Sequence, residues 1–254
     1  MKIDQGDKAV FVVVPALSPV LSCRLRYLED KVEQTLIVHK KELAMNQERK
    51  THWEDVYRDT ATEELGWYQA HPTLSLNLIQ ATGVQKTGSL IDVGGGDSTL
   101  VDHLLDQDFN HITVLDISEV ALERAKARLG DRADLVTWIE ADITDFRSSR
   151  TYDVWHDRAV FHFLTEAEDR EKYCETMNRA VSAKGHVIMA TFGYEAPPTC
   201  SGLPVVRYSP EFLTLAIGNN FVCIESFEEL HMTSSGNKQP FIYCRFTRRN
   251  PSHL

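Results

Sequence analysis

Short apolar runs alternate with segments of helical periodicity from Ser89 onward. Ser118 is placed to cap a helix that ends at Gly130, and Lys184-Gly185 is expected to turn the chain before a later strand. Strands that are apolar throughout and separated by helices are typical of a parallel sheet covered on both faces. The sequence therefore predicts an α/β domain, with strands at residues 90–93, 112–116, 135–139, 152–155 and 186–191.

The end of the chain has a different pattern. Ser209-Pro210 is a typical helix start, and the helix is expected to reach about residue 217. Two long strand-like runs follow, at 221–232 and 240–247, joined by a short polar segment that contains glycine and asparagine. This arrangement predicts a β-hairpin. We expect the α/β sheet to be completed by this antiparallel pair.

The N-terminal segment predicts a separate extension. Residues 9–21 form the most apolar run, but the run is too short to span a bilayer, and Pro15 and Pro19 interrupt it. Asp4 and Asp7 lie where a signal peptide is positively charged, so we expect neither secretion nor stable membrane insertion. An amphipathic helix is predicted at 24–50. The expected division is an extension at 1–44 and a domain at 45–254.

Charge and cysteine content exclude some classes of function. The net charge is −10, which disfavours nucleic acid as a partner, because phosphate contacts need a positive surface. The five cysteines are odd in number and contain no C-x-x-C pair, so neither a disulfide framework nor a metal site is predicted. Reduced thiols are expected, and with them a cytoplasmic location.

The segment Ile91-Asp92-Val93-Gly94-Gly95-Gly96 follows the first predicted strand directly. Glycines at this point allow a tight turn and close approach of a ligand to the backbone, although a glycine turn without function is the simpler alternative. A dinucleotide motif requires Gly or Ala three residues after its second glycine, and here Thr99 follows Gly96 at that distance. Asp92 would repel a pyrophosphate but attract an ammonium group. A cofactor with a cationic amino-acid end fits better.

Acidic residues also end the next two strands. Asp116 is placed to accept hydrogen bonds from the two hydroxyls of an adenosine ribose, which does not by itself distinguish a nicotinamide dinucleotide from other adenosine cofactors. Asp142 is a candidate acceptor for an adenine amino group, and Ile143 is expected to pack on the ring. The alternative for Asp116 is an ordinary strand-end residue before the Ser118 cap.

Five segments, LIDVGGGDS, VLDIS, EADIT, YDVWHDRAVFHFL and KGHVIMATF, resemble in order and spacing the motifs of class I S-adenosylmethionine-dependent methyltransferases. The resemblance implies a Rossmann-like, seven-stranded, mostly parallel sheet with helices on both faces and a C-terminal antiparallel hairpin. It implies S-adenosylmethionine as cofactor and S-adenosylhomocysteine as product. The cofactor contacts that it implies are Asp92, Gly94, Gly95, Gly96, Asp116, Ile117, Asp142, Ile143 and His156.

An aromatic segment precedes this core. Trp53, Trp67 and Tyr68 resemble the N-terminal element that closes over cofactor and acceptor in small-molecule methyltransferases of the thiopurine type. Aromatic faces attract a sulfonium, so these three side chains are further candidate cofactor contacts. Trp53 and Tyr57 are one helical turn apart, so packing in the core is the alternative for Trp53.

The acceptor is expected beyond the fourth strand, where His156 and Asp157 are the candidate catalytic residues, as a general base or to orient the acceptor. A small molecule is the predicted acceptor, and a protein lysine is the alternative. Two other classes of function remain open from the sequence: a nicotinamide-dependent oxidoreductase and a cofactor-binding protein without catalysis. The acceptor atom, the oligomeric state and the role of residues 1–44 do not follow from the sequence.

Overall fold

The computed structural model describes residues 19–249, which divide between Glu48 and Arg49 into two units. Helix α1, Pro19–Asp59, includes the predicted helix at 24–50 and extends it at both ends. Its apolar residues Val32 and Leu36 are more than half exposed. Residues 9–18 of the predicted apolar run lie outside the described residues. Within residues 19–249, no helix combines the length and the apolar character needed to cross a membrane.

A seven-stranded sheet forms the centre of the second unit, as predicted. Its strands lie in the order β3-β2-β1-β4-β5-β9-β8. The first five are parallel, β9 pairs antiparallel with β5, and β8 pairs antiparallel with β9 at the edge. The strands are β1 Leu90–Val93, β2 Ile112–Asp116, β3 Val136–Glu140, β4 Tyr152–Arg158, β5 Val181–Phe192, β8 Phe221–Met232 and β9 Lys238–Arg248. A separate small hairpin consists of β6 Thr199–Cys200 and β7 Leu203–Pro204.

Five further α-helices connect these strands: α2 Thr73–Ala81, α3 Leu100–Asp106, α4 Glu119–Leu129, α5 Ala167–Ala180 and α6 Pro210–Ile217. Short 3₁₀ helices occupy Thr62–Glu64, Gly130–Leu135 and Phe161–Phe163. Ser118 caps α4 by accepting a hydrogen bond from the Ala121 N–H at 3.1 Å, as predicted. Ser209 caps α6 in the same way through the Phe212 N–H.

Two hydrophobic cores lie on opposite faces of the sheet because successive strand residues point to opposite sides. In β5, Val187 and Met189 belong to one core, and Ile188 and Ala190 belong to the other. All four residues of β1 are buried. The strands of this parallel region are therefore apolar on both faces, which is why the sequence shows continuous apolar runs there.

The structure corrects several predicted boundaries. Lys184-Gly185 makes no turn, since β5 begins at Val181 and continues through both residues. The pairing of β4 with β5 shifts there, from Tyr152 opposite Val181 to Val154 opposite His186, which indicates a bulge. Strand β4 extends beyond its predicted end at residue 155, to Arg158. Within the described part of the chain, Cys174, Cys200, Cys223 and Cys244 are free thiols.

We predict that Ser209→Ala destabilises the domain by about 1 kcal/mol, because the Phe212 N–H then loses its side-chain acceptor. For a domain of this size, this corresponds to a lowering of the melting temperature by about 2–4 °C in a thermal unfolding experiment. Ser209→Thr keeps the hydroxyl acceptor and is the matched control. Equal melting temperatures for wild type and Ser209→Ala would contradict a capping role.

Candidate active site

Polar side chains gather at the carboxyl edge of the parallel sheet. Asp92 of β1 lies opposite His156 of β4, and Val93 lies opposite Asp157. Asp116 ends the neighbouring strand β2. Because parallel strands end at the same edge, residues far apart in the chain meet here. All three carboxylates are at least 95% buried, so each one requires compensation by hydrogen bonds or opposite charge.

The glycine segment turns tightly over this edge. Gly94 and Gly96 have φ values of +65° and +43°, in the region that favours glycine. A Cβ on Gly96 would lie 2.6 Å from Oη of Tyr57 and 2.8 Å from Oδ2 of Asp116. The Gly94 and Gly95 N–H groups both donate to the Leu115 carbonyl, at 2.7 and 3.2 Å. Glycine is thus required here to bring helix α1 and strand β2 against the turn.

Asp116 is a buried carboxylate that is stabilised by backbone N–H groups. Its Oδ1 accepts a hydrogen bond from the Ser118 N–H at 2.8 Å. Burial raises the pKa of Asp116 to about 7, the hydrogen bond from Ser118 lowers it, and the charge of Asp92 raises it further. Burial and the charges of Asp116 and Asp97 also raise the pKa of Tyr57. A donor that reached Asp116 would favour its ionised form.

Asp92 is held by a hydrogen-bonded chain of side chains. Its Oδ1 lies 2.7 Å from Nδ1 of His156, whose Nε2 lies 2.9 Å from Oγ of Ser75. Ser75 comes from helix α2, and all three residues are buried. Since both ring nitrogens of His156 have partners, the ring is fixed beside Asp92. His156 therefore lies in the site, but both of its ring nitrogens are within hydrogen-bond distance of protein side chains.

Asp157 belongs to a different network. Its Oδ2 accepts a hydrogen bond from Oη of Tyr173 at 2.5 Å, and its Oδ1 accepts from the Val160 and Phe161 N–H groups. Tyr173 also accepts from Nε1 of Trp155 at 2.9 Å. Burial raises the pKa of Asp157 to about 6, while the hydrogen bond from Tyr173 lowers it. Asp157 is completely buried. It is not among the residues that line the two cavities presented below, so the geometry does not support its predicted catalytic role.

Asp142 follows β3 and keeps one oxygen open. Its Oδ1 accepts from the Thr144 N–H at 2.9 Å and from Oγ1 of Thr144 at 2.7 Å. Its Oδ2 is buried and forms an ion pair with Nη1 of Arg49 at 3.4 Å, but no described residue donates a hydrogen bond to it. The neighbouring Ile143 is buried. An acceptor atom beside an apolar side chain is the combination expected at an adenine site.

Two adjoining cavities cover this edge. The first has an empty volume of about 810 Å³, open solvent included, and is lined by Asp116, Ile117, Asp142 and Ile143 as well as by Arg158, Gln239 and Phe241. The second has an empty volume of about 520 Å³, open solvent likewise included, and is bordered by Asp92, Gly95, Ser75, His156 and Tyr68. Both cavities are lined by Trp67, Gly94 and Arg158. Together they bring most of the residues predicted from the sequence into one site.

The aromatic segment lines both cavities of this site, and we call its side chains Trp53, Trp67 and Tyr68 the aromatic roof. Trp53 and Trp67 contact each other edge to face with ring centroids 5.8 Å apart, and Trp53 lies 4.9 Å from Phe163. Trp53 and Trp67 line the first cavity, and Trp67 and Tyr68 line the second. All three are partly buried. Trp53 therefore belongs both to a packed aromatic cluster and to a cavity wall.

Several site residues were missed by sequence reasoning. Arg158 directly follows the predicted pair His156-Asp157, so its position at the strand end is a local signal. Gln239 and Phe241 come from the C-terminal hairpin, and Ser75 comes from helix α2; nothing in their neighbourhood in the sequence indicates a site. In the described part of the chain, no group of three or more His, Cys, Asp or Glu residues is arranged to hold a metal ion.

Comparison with known proteins agrees with this geometry. Residues 91–187, which contain the glycine turn, Asp116, Asp142 and Arg158, match a family model described as a methyltransferase domain. This match covers less than half of the chain and indicates a methyltransferase domain. This chain is similar in fold to the solved structure of N-methyltransferase NodS from Bradyrhizobium japonicum in complex with S-adenosylhomocysteine. The TM-score is 0.60 at 15% identity, and the similarity covers 78% of this chain and 99% of NodS.

Two further matches are a solved structure and a curated relative. A structure from work on the conversion of a disulfide bond into a thioacetal group during echinomycin biosynthesis has a TM-score of 0.65 at 19% identity, covering 80% of this chain and 95% of that chain. At these identities the likeness concerns the fold alone. Malonyl-[acyl-carrier protein] O-methyltransferase 1 of Ilyobacter polytropus is 25% identical over 171 residues, which are 63% of this chain and 62% of that protein.

The eEF1A lysine and N-terminal methyltransferase of Bos taurus is 23% identical over 138 residues, 54% of this chain and 19% of that protein. This chain thus spans less than two thirds of the length of these curated relatives.

We predict that Gly96→Ala weakens binding of S-adenosylhomocysteine about tenfold or more, because the new methyl group must displace Tyr57 or Asp116. Gly83→Ala is the matched control. Gly83 also has a positive φ, +70°, but no atom of the described neighbouring residues lies within 4 Å of a Cβ placed there. We expect it to lose stability without losing affinity in calorimetry. Equal affinities for the two variants would contradict the close approach at Gly96.

Proposed function

We propose that this methyltransferase transfers the methyl group of S-adenosylmethionine to a small-molecule acceptor. The observation that carries the proposal is the first cavity, which joins the motif residues Asp116 and Asp142 to a chamber beside Arg158 under Trp53 and Trp67. Residues that would hold the cofactor and residues that would face the acceptor line the same cavity, as transfer between two bound partners requires. Bound there, S-adenosylmethionine supplies an electrophilic methyl group.

The residues of the site fit this cofactor along its whole length. The open Oδ2 of Asp142 would accept from the adenine amino group, with Ile117 and Ile143 packed against the ring. Asp116 would accept from the ribose hydroxyls. Asp92 faces the second cavity, where it would pair with the ammonium group beside Gly94 and Gly95. These roles are part of the proposal, and the orphaned oxygen of Asp142 is its most direct support.

The aromatic roof supports the same placement. The ring faces of Trp53, Trp67 and Tyr68 would attract a sulfonium through the ring quadrupole and would exclude water from the reacting atoms. Because transfer of a methyl group from sulfur is an in-line displacement, alignment of the reactants supplies much of the rate. The chain's main contribution in this proposal is to orient both partners.

We assign His156 a positioning role instead of that of a general base. Its two ring nitrogens lie within hydrogen-bond distance of Asp92 and Ser75, so it fixes the carboxylate that would receive the ammonium group. Asp157 satisfies the Tyr173 hydroxyl and two backbone N–H groups, which gives it a role in holding strand β4 against α5. The proposed reaction therefore proceeds without a proton acceptor from this pair.

A small acceptor is favoured over a protein lysine. A lysine would have to reach the chamber past Trp53 and Trp67 and would bring a positive charge towards Arg158. By name, one relative acts on lysine and the N-terminus of eEF1A, and another acts on a malonyl group carried by a protein. The proposal is restricted to free small molecules, and an acceptor presented by a carrier protein lies outside it.

Transfer of tritium from labelled S-adenosylmethionine tests the acceptor class. The protein is incubated with a metabolite panel and, separately, with delipidated cell lysate. We expect label in small molecules that pass a filter and none retained in protein bands. The control is Asp116→Ala, which we expect to lose about 1–3 kcal/mol of the free energy of cofactor binding. Label that persists at the same level with this variant does not depend on the enzyme. Label confined to protein bands would contradict the small-molecule acceptor.

We predict that binding of S-adenosylhomocysteine weakens as the pH falls through 7. Burial raises the pKa of free Asp116 to about 7. Donation by two ribose hydroxyls favours the carboxylate and lowers its pKa in the complex, so affinity is highest above pH 7 and falls as Asp116 becomes protonated. The decrease approaches about tenfold per pH unit where only the complex is ionised.

Calorimetry from pH 5.5 to 8.5 measures this dependence. Asp92 and Glu54 also act on Asp116 through their charges, so the comparison with Asp116→Asn is essential. We expect that variant to bind more weakly above pH 7 and with a flatter pH profile. An equally steep profile in Asp116→Asn would remove Asp116 from the ribose site.

A further inference from the structure

Arg158 is a buried cation in the wall shared by the two cavities. Its side chain is 10% exposed. Nε donates to Oη of Tyr243 at 2.8 Å, and Nη1 donates to the Trp67 carbonyl at 2.9 Å. The guanidinium lies 4.6 Å from the centre of the Phe241 ring. Strand β9 and the aromatic segment thus fix this side chain in one orientation.

The third nitrogen of this guanidinium is left open. Nη2 is buried, and none of the described residues accepts a hydrogen bond from it. The nearest carboxylate oxygen, Oε2 of Glu229, lies 4.0 Å away and already accepts from Tyr243 and Gln69. A buried charged donor without an acceptor is costly, and such groups are rare unless a ligand completes them.

Two residues of the C-terminal hairpin accompany Arg158 in the wall of the first cavity. They are Gln239 and Phe241, and under the proposed function this part of the cavity would receive the acceptor. Oε1 of Gln239 is also buried, with no hydrogen bond from the described part of the chain. Phe163 and Trp53 supply apolar surface in the same cavity. The chamber therefore combines one open cationic donor with apolar walls.

We propose that the acceptor carries a carboxylate that ion-pairs with Nη2 of Arg158, an inference that rests on the proposed function. A carboxylate matches the planar guanidinium and provides the missing acceptor. The two cations among the described residues lining this cavity are Arg158 and Arg49, and Arg49 pairs with Asp169 and lies beside Asp142. A single open cation suits a singly charged carboxylate better than a phosphate. The walls would hold the acceptor's apolar body.

The experiment uses the full chain saturated with S-adenosylhomocysteine and matched pairs of probes. Benzoate and phenylacetate are compared with benzamide and phenylacetamide by ligand-observed NMR titration. We expect the acids to bind more tightly than their amides. Arg158→Gln should weaken the acids about tenfold or more, as expected for loss of a charged hydrogen bond, and leave the amides unchanged. Binding of S-adenosylhomocysteine, measured by calorimetry, should stay within about threefold.

Two further variants keep the test informative if Arg158→Gln fails to fold. Glu229→Gln removes the negative charge 4.0 Å from Nη2, so we expect it to tighten the acids. Arg158→Lys retains the charge and should weaken the acids less than Arg158→Gln does. Acid binding that is insensitive to these variants overturns the inference.

The outcomes separate this inference from the proposed function. If the wild-type chain does not bind S-adenosylhomocysteine, the proposed function fails and the inference falls with it. If it binds S-adenosylhomocysteine but binds acids no better than amides, the inference alone fails. If Arg158→Gln weakens S-adenosylhomocysteine as strongly as the acids, Arg158 holds the carboxylate of the cofactor, and the inference is overturned.

Discussion

The burial of carboxylates at the carboxyl edge of the sheet is the constraint on which this site depends. Asp92, Asp116 and Asp157 all lie on the central strands, at positions that water hardly reaches. An ionised carboxylate there is tolerated only with donors or an opposite charge close by. The partners come from elsewhere in the chain: His156 and Ser75 for Asp92, Tyr173 for Asp157, and the Ser118 N–H for Asp116. Satisfying these acids therefore ties helices α2, α4 and α5 to the sheet.

How completely each acid is satisfied separates structural from functional positions. Asp157 has donors at both oxygens and is closed off by Tyr173 and the 3₁₀ helix that follows β4. Asp142 retains a buried oxygen to which none of the described residues donates, and burial raises the pKa of Asp116. Arg158, which is positively charged, has a buried Nη2 that donates to none of the described residues. Groups that the fold leaves open are those that a ligand can complete, which is why they carry the proposals.

The fold alone does not define the reaction, since α/β folds of this kind serve many activities. Thr99, in place of the third small residue of a dinucleotide motif, already disfavoured a nicotinamide cofactor. The family match over residues 91–187 agrees with that interpretation. In this domain, the cavity beside Arg158 is lined both by the aromatic residues Trp53 and Trp67 and by Gln239 and Phe241 of the C-terminal hairpin.

The sequence by itself determined the strands, the order of the motifs, the caps at Ser118 and Ser209 and the glycine turn, because these depend on local periodicity and on neighbours within a few residues. It also indicated the acidic residues at the strand ends. Only the tertiary structure decided which partners each acid has, since His156, Ser75 and Tyr173 lie on other helices and strands than the acids they stabilise or hold. Burial, which sets the pKa of Asp116 and leaves Nη2 of Arg158 without an acceptor among the described residues, arises only when distant segments pack together.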